Sequence, residues 1–300
     1  MNLIPFTAHR AIKSLLESSS ARPSPRVRWR LSGIASLAIG SLATALVAGL
    51  PSMDACATDP FRESELVGEV TSRYGRDETV WLNAEGRRFA AMMRDSSARQ
   101  TLGGVALLHG IEESPDAPNL IQALRKALPV RGWTSLSLVA PVREAGADID
   151  AYLGLMAESV GRLTAGVAYL NDKQTVPIAV VGHRSGALAV VRYLAQHPDA
   201  KAAAAVLVDL PVVAAAEMET EMPRIRTPML DIVTDTAKRG NADWALKRKG
   251  LMKNNDRYRQ VVIADAGTKL QALEEMLVNR IHGWLKRELR GDESDAGDVP

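Results

Sequence analysis

The sequence contains a single cysteine, Cys56, among its 300 residues. One cysteine excludes an internal disulfide framework and a cluster of thiolate metal ligands. The five histidines are scattered, and no two have the H-x-x-x-H spacing that places both imidazoles on one helix face. We therefore expect no metal and no other cofactor, and the stability of the folded part has to come from its hydrophobic core.

An excess of one charge is also missing from the part of the chain that is expected to fold. The whole-chain formal charge is +2, and residues 1–57 hold six basic against two acidic side chains. Subtracting that +4 leaves about −2 for the remainder, so no basic field attracts the folded part to nucleic acid. With 46% hydrophobic residues, the chain can bury one sizeable core.

Residues 1–57 have the order of features of a secretory leader. Leu31 to Leu50 carries no charge, follows arginines at positions 26, 28 and 30, and precedes the small residues Ala55-Cys56-Ala57. We expect export to the periplasm, cleavage after Ala57 and a mature chain that starts at Thr58. Two alternatives stay open, a membrane anchor through residues 31–50 that is not cleaved and a lipid attached to Cys56.

The remaining chain, residues 58–290, is expected to form one α/β domain. Two short strands come first, at residues 78–83 and 87–93, and the turn at Gly86 suits an antiparallel hairpin. The apolar runs that follow alternate with helical patterns, which favours a mostly parallel central sheet with helices on both faces. We expect further strands at 104–108, 135–139, 177–181, 204–208, 229–233 and 258–263, and helices at 119–128, 149–171, 185–197, 244–252 and 269–290. Residues 291–300 are acidic, lack large apolar side chains and are expected to be disordered.

The most informative segment is the strand-to-helix junction Gly182-His183-Arg184-Ser185-Gly186, which we call the elbow. In α/β-hydrolases this junction reads G-x-S-x-G, and its glycines allow a strained turn that lifts the central nucleophile above the sheet. Here the central residue is Arg184. Ser185 follows one position later, where the backbone N–H, rather than the hydroxyl, serves the oxyanion hole. His109-Gly110, after an earlier buried strand, is similar to the pair that opens the oxyanion loop of many lipases and esterases.

The histidine of a hydrolase triad is missing from its expected place. The loop after the last strand, residues 264–268, contains none, so the acids Asp209 and Asp235 have no imidazole there to orient. Ser185, His109 and Asp235 are therefore weak catalytic candidates. His183 precedes the central elbow residue and is expected by strand alternation to point elsewhere, and His282 is expected to be a packed or surface residue of the last helix.

Six short segments are informative together: Leu108-His109-Gly110, Leu124-Arg125, Gly132-Trp133, residues 182–187, residues 228–232 and Gly283-Trp284-Leu285. They resemble an exported bacterial family of α/β-hydrolase-like proteins, domain of unknown function 3530. The resemblance runs from about residue 64 to residue 289 and implies the fold and a cell-envelope location, but no established activity. The family's elbow looks similar to G-H-G-x-G-A, also without serine, and Arg184 departs from that pattern.

Two functions remain as alternatives. The first is a non-catalytic envelope protein that binds a small anionic ligand or a partner protein through the degenerate elbow, which comprises His109, Gly110 and residues 182–186. The second is a divergent serine hydrolase or esterase in which Ser185 or another hydroxyl attacks with help from His109 or His183.

Arg184 has two possible roles under the first alternative. It can capture a carboxylate or phosphate at a helix N-terminus, or it can pair, partly buried, with a carboxylate of a neighbouring loop, and we favour pairing. The candidate partners are Glu112, Glu113, Asp209 and Asp235.

Two further features concern residues outside the elbow. Asp231 lies in an apolar strand and is expected to accept structural hydrogen bonds. The basic run Lys247-Arg248-Lys249 is expected to be a solvated helix face, with a peripheral membrane contact as the alternative.

Overall fold

The computed structural model describes residues 58–74, 77–118, 120–234, 241–263 and 270–290. The predicted leader 1–57, the tail 291–300, Asp235 and the loop 264–268 lie outside these residues. The strands are β1 (Thr79–Ala84), β2 (Arg87–Arg94), β3 (Gly103–Leu108), β4 (Trp133–Leu138), β5 (Ile178–His183), β6 (Ala202–Val208), β7 (Met229–Val233) and β8 (Tyr258–Val262).

These strands form one sheet in the order β1-β2-β4-β3-β5-β6-β7-β8. β1 pairs with β2, and β2 with β4, in antiparallel fashion. All the other neighbours are parallel. The predicted antiparallel hairpin followed by a mostly parallel sheet is confirmed, and each predicted strand is present with its ends shifted by about two residues at most, within the usual error of boundaries.

The helices are α1 (Pro60–Tyr74), α2 (Leu120–Val130), α3 (Ile149–Leu153), α4 (Met156–Asp172), α5 (Ser185–Gln196), α6 (Ala215–Glu221), α7 (Asn241–Leu251) and α8 (Leu270–Arg290), with a 3-10 turn at Met222–Arg224. None of the helices in the described ranges combines the length and the hydropathy needed to cross a membrane.

The core lies on both faces of the sheet because strand side chains alternate. In β3, Val105 and Leu107 belong to a cluster with α2 and α8. Ala106 and Leu108 belong to the cluster on the opposite face, which contains α4 and α5. The expected three-layer arrangement of helix, sheet and helix is therefore present, and it holds the carboxyl end of β5 between its neighbours β3 and β6.

Three parts of the helical structure differ from the sequence prediction. The short helix α6 and the 3-10 turn that follows it were not predicted. In the described residues, helix α1 precedes the first strand, where the prediction had no helix. Asp59 caps this helix by accepting hydrogen bonds from the N–H groups of Phe61 and Arg62, and Pro60 occupies the first helical position. The apolar pattern did not reveal α1 because Val70 is its one fully buried residue. The helix predicted over residues 149–171 is divided into α3 and α4 at Gly154, the C-cap residue of α3.

Candidate functional site

The junction between β5 and α5 is a sharp turn centred on Arg184. The backbone of Arg184 has φ 53° and ψ −119°, a combination that side-chain-bearing residues rarely adopt and that costs on the order of 1–3 kcal/mol. Its N–H donates to the carbonyl oxygen of Val208 on β6 at 2.8 Å. The sequence-predicted elbow is therefore present as a strained turn at the carboxyl edge of the sheet.

The two elbow glycines are required by close backbone contacts. A Cβ on Gly182 would lie 2.4 Å from the carbonyl oxygen of Gly186, and one on Gly186 would lie 2.2 Å from that of Leu108. Both separations are far inside van der Waals contact, and each involves backbone that cannot move aside. Glycine at these positions lets α5 start directly against the ends of β3 and β5.

The Arg184 side chain leaves this turn toward solvent. Its guanidinium Nη1 lies 3.5 Å from Oε1 of Glu113, and 63% of the side chain is exposed. Among the expected carboxylates that lie in the described residues, Glu113 is the one in contact with Arg184. The expectation of a partly buried guanidinium was wrong. The tight turn lifts the side chain above the strand ends, where the described loops leave it open to solvent.

Two other predicted partners of Arg184, Glu112 and Asp209, have different contacts, and Asp235 lies outside the described residues. Glu112 accepts a hydrogen bond from the Tyr152 hydroxyl at 2.9 Å and is 3.4 Å from Arg62. Asp209 accepts from both the backbone N–H and the hydroxyl of Thr234, at 2.7 and 2.6 Å.

Glu113 is the most highly connected acid at the elbow. Its Oε2 accepts from the N–H of Gly110 at 3.0 Å and lies 3.1 Å from Nδ1 of His183. Burial by itself raises the pKa of this carboxyl, but the hydrogen bond and charge of His183, the Gly110 N–H and the charge of Arg184 together lower the pKa to about 2. Glu113 is therefore ionised at neutral pH and joins the loop after β3 to the end of β5.

The contact between His183 and Glu113 corrects the expectation that His183 points away from the elbow. β5 ends at His183 and the chain turns immediately, so strand alternation no longer separates its side chain from that of Arg184. Both side chains contact the same carboxylate.

His109 is buried with both ring nitrogens in hydrogen bonds. Its Nε2 accepts from the N–H of Ala140 at 3.0 Å, so the ring proton of the neutral imidazole must be on Nδ1, which donates to the carbonyl oxygen of Gly110 at 2.8 Å. Burial lowers the pKa of His109 to about 4. A neutral ring with both nitrogens occupied is poorly suited to take a proton from Ser185.

The Ser185 hydroxyl contacts the loop that follows His109. Its Oγ accepts a 2.7 Å hydrogen bond from the N–H of Ile111. Ile111 directly follows His109-Gly110, the position at which the fold's enzymes supply an oxyanion-hole N–H from the loop after β3. Sequence reasoning identified the histidine-glycine pair but missed Ile111, although its place after the glycine was a usable signal.

The cavity beside the elbow is small. It has a volume of about 20 Å³ and is lined by Ser185, Ile111, Tyr152 and Val142, among others. A cavity of this volume holds about one water molecule. This volume is far below the roughly 300–1,000 Å³ of ordinary small-molecule pockets.

The remaining predicted residues are structural. Asp231 is fully buried and accepts two hydrogen bonds from Arg248, one from Tyr258 and one from Gln260. Arg248 is itself 1% exposed, so the expectation of a wholly solvated basic run was wrong at this residue. His282 accepts a hydrogen bond from the Trp133 indole at 3.1 Å. In the described part of the chain, no group of three or more His, Cys, Asp or Glu side chains could hold a metal ion.

Comparison with known proteins identifies a family and a fold. The model of the family described as "Protein of unknown function (DUF3530)" matches residues 59–151 and 145–287. No match to a curated protein was found.

Three solved structures illustrate the similarity in fold. The esterase domain of a Rhodothermus marinus protein has a TM-score of 0.54 at 15% identity, covering 70% of this chain and 97% of that one. An esterase from Pyrococcus furiosus has a TM-score of 0.57 at 18% identity, covering 70% of this chain and 92% of that one. A dienelactone hydrolase from Anabaena variabilis has a TM-score of 0.54 at 17% identity, covering 71% of this chain and 97% of that one. Identities this low show the α/β-hydrolase-like fold alone.

Proposed function

The chain belongs to the DUF3530 family of proteins of unknown function, and we propose that it is an exported cell-envelope protein that uses its α/β-hydrolase-like fold for binding rather than hydrolysis. The observation that carries this proposal is Arg184 at the centre of the elbow, in the strained backbone conformation that would present a nucleophile. A guanidinium keeps its charge at all physiological pH values and does not attack an acyl group.

The contacts of the neighbouring polar groups support a non-catalytic site. The hydroxyl oxygen of Ser185 accepts a hydrogen bond from the N–H of Ile111. Both nitrogens of His109 are in hydrogen bonds, and the sequence has no histidine at residues 264–268. A serine without a base is a weak nucleophile at neutral pH. The alternative, a divergent esterase that uses Ser185, would require these contacts to rearrange.

A small anion, carboxylate or phosphate, is the ligand that the elbow fits best. Arg184 is largely exposed and is the residue immediately before α5, where the helix dipole favours negative charge. A guanidinium adds a fork that binds such an anion with two parallel hydrogen bonds. A partner protein would be recognised through a carboxylate side chain or C-terminus of its own. A membrane surface is a weaker candidate, because the buried Arg248 removes one charge from the basic run.

We further propose that residues 1–57 are a leader that is removed during export to the periplasm. The order of basic residues, an uncharged apolar run and small residues before Thr58 supports this part of the proposal. The mature protein would then carry about −2 formal charge instead of +2.

The catalytic alternative is tested with a fluorophosphonate probe and p-nitrophenyl acetate, using the wild type and Ser185→Ala. We expect no labelling and no hydrolysis above buffer in either protein. Labelling of the wild type that disappears in Ser185→Ala would overturn the non-catalytic proposal.

Anion binding is tested by calorimetric titration with inorganic phosphate and with acetate. We expect weak binding to the wild type that is lost in Arg184→Met and retained in Arg99→Met, which removes an exposed arginine of a different loop. Binding that is the same in all three proteins would contradict a role of Arg184 in anion capture.

A further inference from the structure

A buried cluster of charges ties α1 to α4. The guanidinium of Arg162, on α4, donates to both carboxylate oxygens of Glu63, on α1, at 2.7 and 2.8 Å. It also donates to Oε1 of Glu158 at 2.6 Å and to the carbonyl oxygen of Val139 at 2.8 Å. The Arg162 side chain is 2% exposed. Because the pair of carboxylates shares a single guanidinium, these three side chains together carry a net charge of −1.

Thr58 lies against this cluster. Its backbone nitrogen is 3.2 Å from Oε2 of Glu158. Arg162 donates to the other carboxylate oxygen of Glu158, Oε1. Its hydroxyl donates to the carbonyl oxygen of Val142 at 3.1 Å and accepts from the N–H of the same residue at 2.8 Å. The N–H of Asp59 adds a third bond to Val142, at 2.7 Å. Thr58 is 8% exposed, so its main-chain nitrogen is held in a defined, largely buried position.

We propose that Glu158 is a binding site for the α-ammonium group of the mature chain. This inference rests on the proposed removal of the leader, which would occur by hydrolysis of the Ala57–Thr58 peptide bond. Water supplies the atoms: its oxygen forms the new carboxylate of Ala57, and the nitrogen of Thr58 takes up protons and becomes a charged ammonium.

The charge balance of the cluster favours this assignment. In the precursor, Thr58 offers Glu158 a neutral amide N–H. After cleavage, the same nitrogen offers a positive charge at the same place, and the −1 of the Glu63, Glu158 and Arg162 side chains is neutralised. An ion pair of low exposure is stabilising where both charges have partners, and an excess buried charge is costly. Cleavage therefore strengthens a contact that the folded chain already makes.

The ion pair also acts on the candidate site. Val142, which Thr58 and Asp59 hold with three hydrogen bonds, lines the small cavity beside Ser185. Fixing the mature N-terminus fixes this wall of the cavity. Removal of the leader would thus reinforce a wall of the cavity that the folded chain already holds in place.

The inference is tested on the full chain, expressed with its leader in an export-competent bacterium and purified from the envelope fraction. Intact mass gives the first residue of the mature chain. The α-amine is then acetylated at pH 7 with an N-hydroxysuccinimide ester, which favours it over lysine because its ordinary pKa is roughly 2 to 3 units lower. We expect a chain that starts at Thr58 and whose α-amine reacts at least about tenfold more slowly in the native than in the urea-unfolded protein.

Three variants isolate the contact. Glu158→Gln removes the carboxylate, and its α-amine should react at close to the unfolded rate. Glu65→Gln changes an exposed carboxylate of α1, the helix that carries Glu63, and should keep the protection. Insertion of one alanine between Ala57 and Thr58 keeps every side chain but moves the amine by about 3.8 Å. The insertion variant should lose the protection of the α-amine and have a lower melting temperature. Because it retains Glu158, it tests the ion pair even if Glu158→Gln fails to fold.

The failures are distinguishable. A mature chain that begins at another residue, or that keeps residues 31–50, would refute the cleavage site and the ion pair together. A chain that begins at Thr58 but whose amine is equally reactive in the native and unfolded states would refute the ion pair and leave the proposed export intact. The non-catalytic proposal is judged separately, by the fluorophosphonate probe.

Discussion

The hydroxyl oxygen of Ser185 accepts a 2.7 Å hydrogen bond from the backbone N–H of Ile111. In an active enzyme of this fold, that N–H would stabilise the negative oxygen of a tetrahedral intermediate. Here a neighbouring side chain satisfies it. The elbow therefore differs from an enzyme's in its environment as well as in its central residue, and a single substitution should not recreate activity.

Arg184→Ser tests this directly, because it returns a serine to the centre of the elbow. We expect no fluorophosphonate labelling and no ester hydrolysis above buffer, since residues 264–268 contain no histidine and the Ile111 N–H remains bound to Ser185. Loss of the catalytic residues of a true triad costs about a million-fold in turnover. Rapid labelling of Arg184→Ser would show that His183 serves as a base and that the site is closer to an enzyme than we propose.

The sequence was sufficient to predict the sheet and the elbow. Buried strands such as β3, with alternating side chains packed on both faces, produce continuous apolar runs that sequence alone reveals. Gly182 and Gly186 have no alternative because backbone atoms occupy the space of a side chain. These features depend on local sequence, which explains why they could be predicted.

The contacts that define the site could not be predicted in the same way. Glu113 and His183 are 70 positions apart, and their contact depends on the pairing of β3 with β5. The sequence predicted a solvated Arg248 because its two neighbours are lysines. In the structure, the Arg248 side chain instead donates to the buried carboxylate of Asp231. Specific ion pairs of this kind leave no periodic pattern in a single sequence.

Glu113→Gln should destabilise the protein, because the pKa of Glu113 is lowered from 4.5 to about 2. A lowered carboxyl pKa contributes stability that is complete above about pH 4.5 and is lost as the pH falls toward 2. The contribution is on the order of 2–3 kcal/mol at pH 7. Urea unfolding at pH 7 and pH 3 measures it, and Glu113→Gln should lose less stability than the wild type between these two values. An equal loss in both proteins would contradict this role of Glu113.

His109 should affect stability in a higher pH range. Burial lowers the pKa of His109 from 6.5 to about 4, so the unfolded chain takes up a proton before the folded one does. Stability therefore falls as the pH drops from 6.5 to 4, by about 3 kcal/mol in total. His109→Gln should be less stable than the wild type at pH 7, but its free energy of unfolding should change little between pH 6.5 and pH 4. Urea unfolding measures both. His197→Gln, in which a histidine at the end of α5 is replaced, is the control and should retain the full decline.

Arg248→Met should be strongly destabilising, because it leaves the fully buried Asp231 without its cation. Removing one partner of a buried ion pair typically costs about 3–5 kcal/mol. The adjacent Lys247 is half exposed and pairs with Glu219 at the surface, so Lys247→Met should cost less than about 1 kcal/mol. Chemical unfolding of the two variants compares them. Similar losses would mean that the Asp231 contact is not a main source of stability in this part of the fold.

Arg184→Met should have little effect on stability. Removal of a buried guanidinium would instead have lowered the stability. The side chain is 63% exposed and its 3.5 Å contact with Glu113 is open to solvent, so the pair is worth at most about 1 kcal/mol. Glu113 also keeps the bonds from His183 and the Gly110 N–H when the guanidinium is removed. A melting temperature close to that of the wild type, together with loss of phosphate binding, would show that Arg184 serves a ligand rather than the fold. A destabilisation as large as that of Glu113→Gln would instead assign Arg184 to the fold, because only a desolvated guanidinium would then account for the loss.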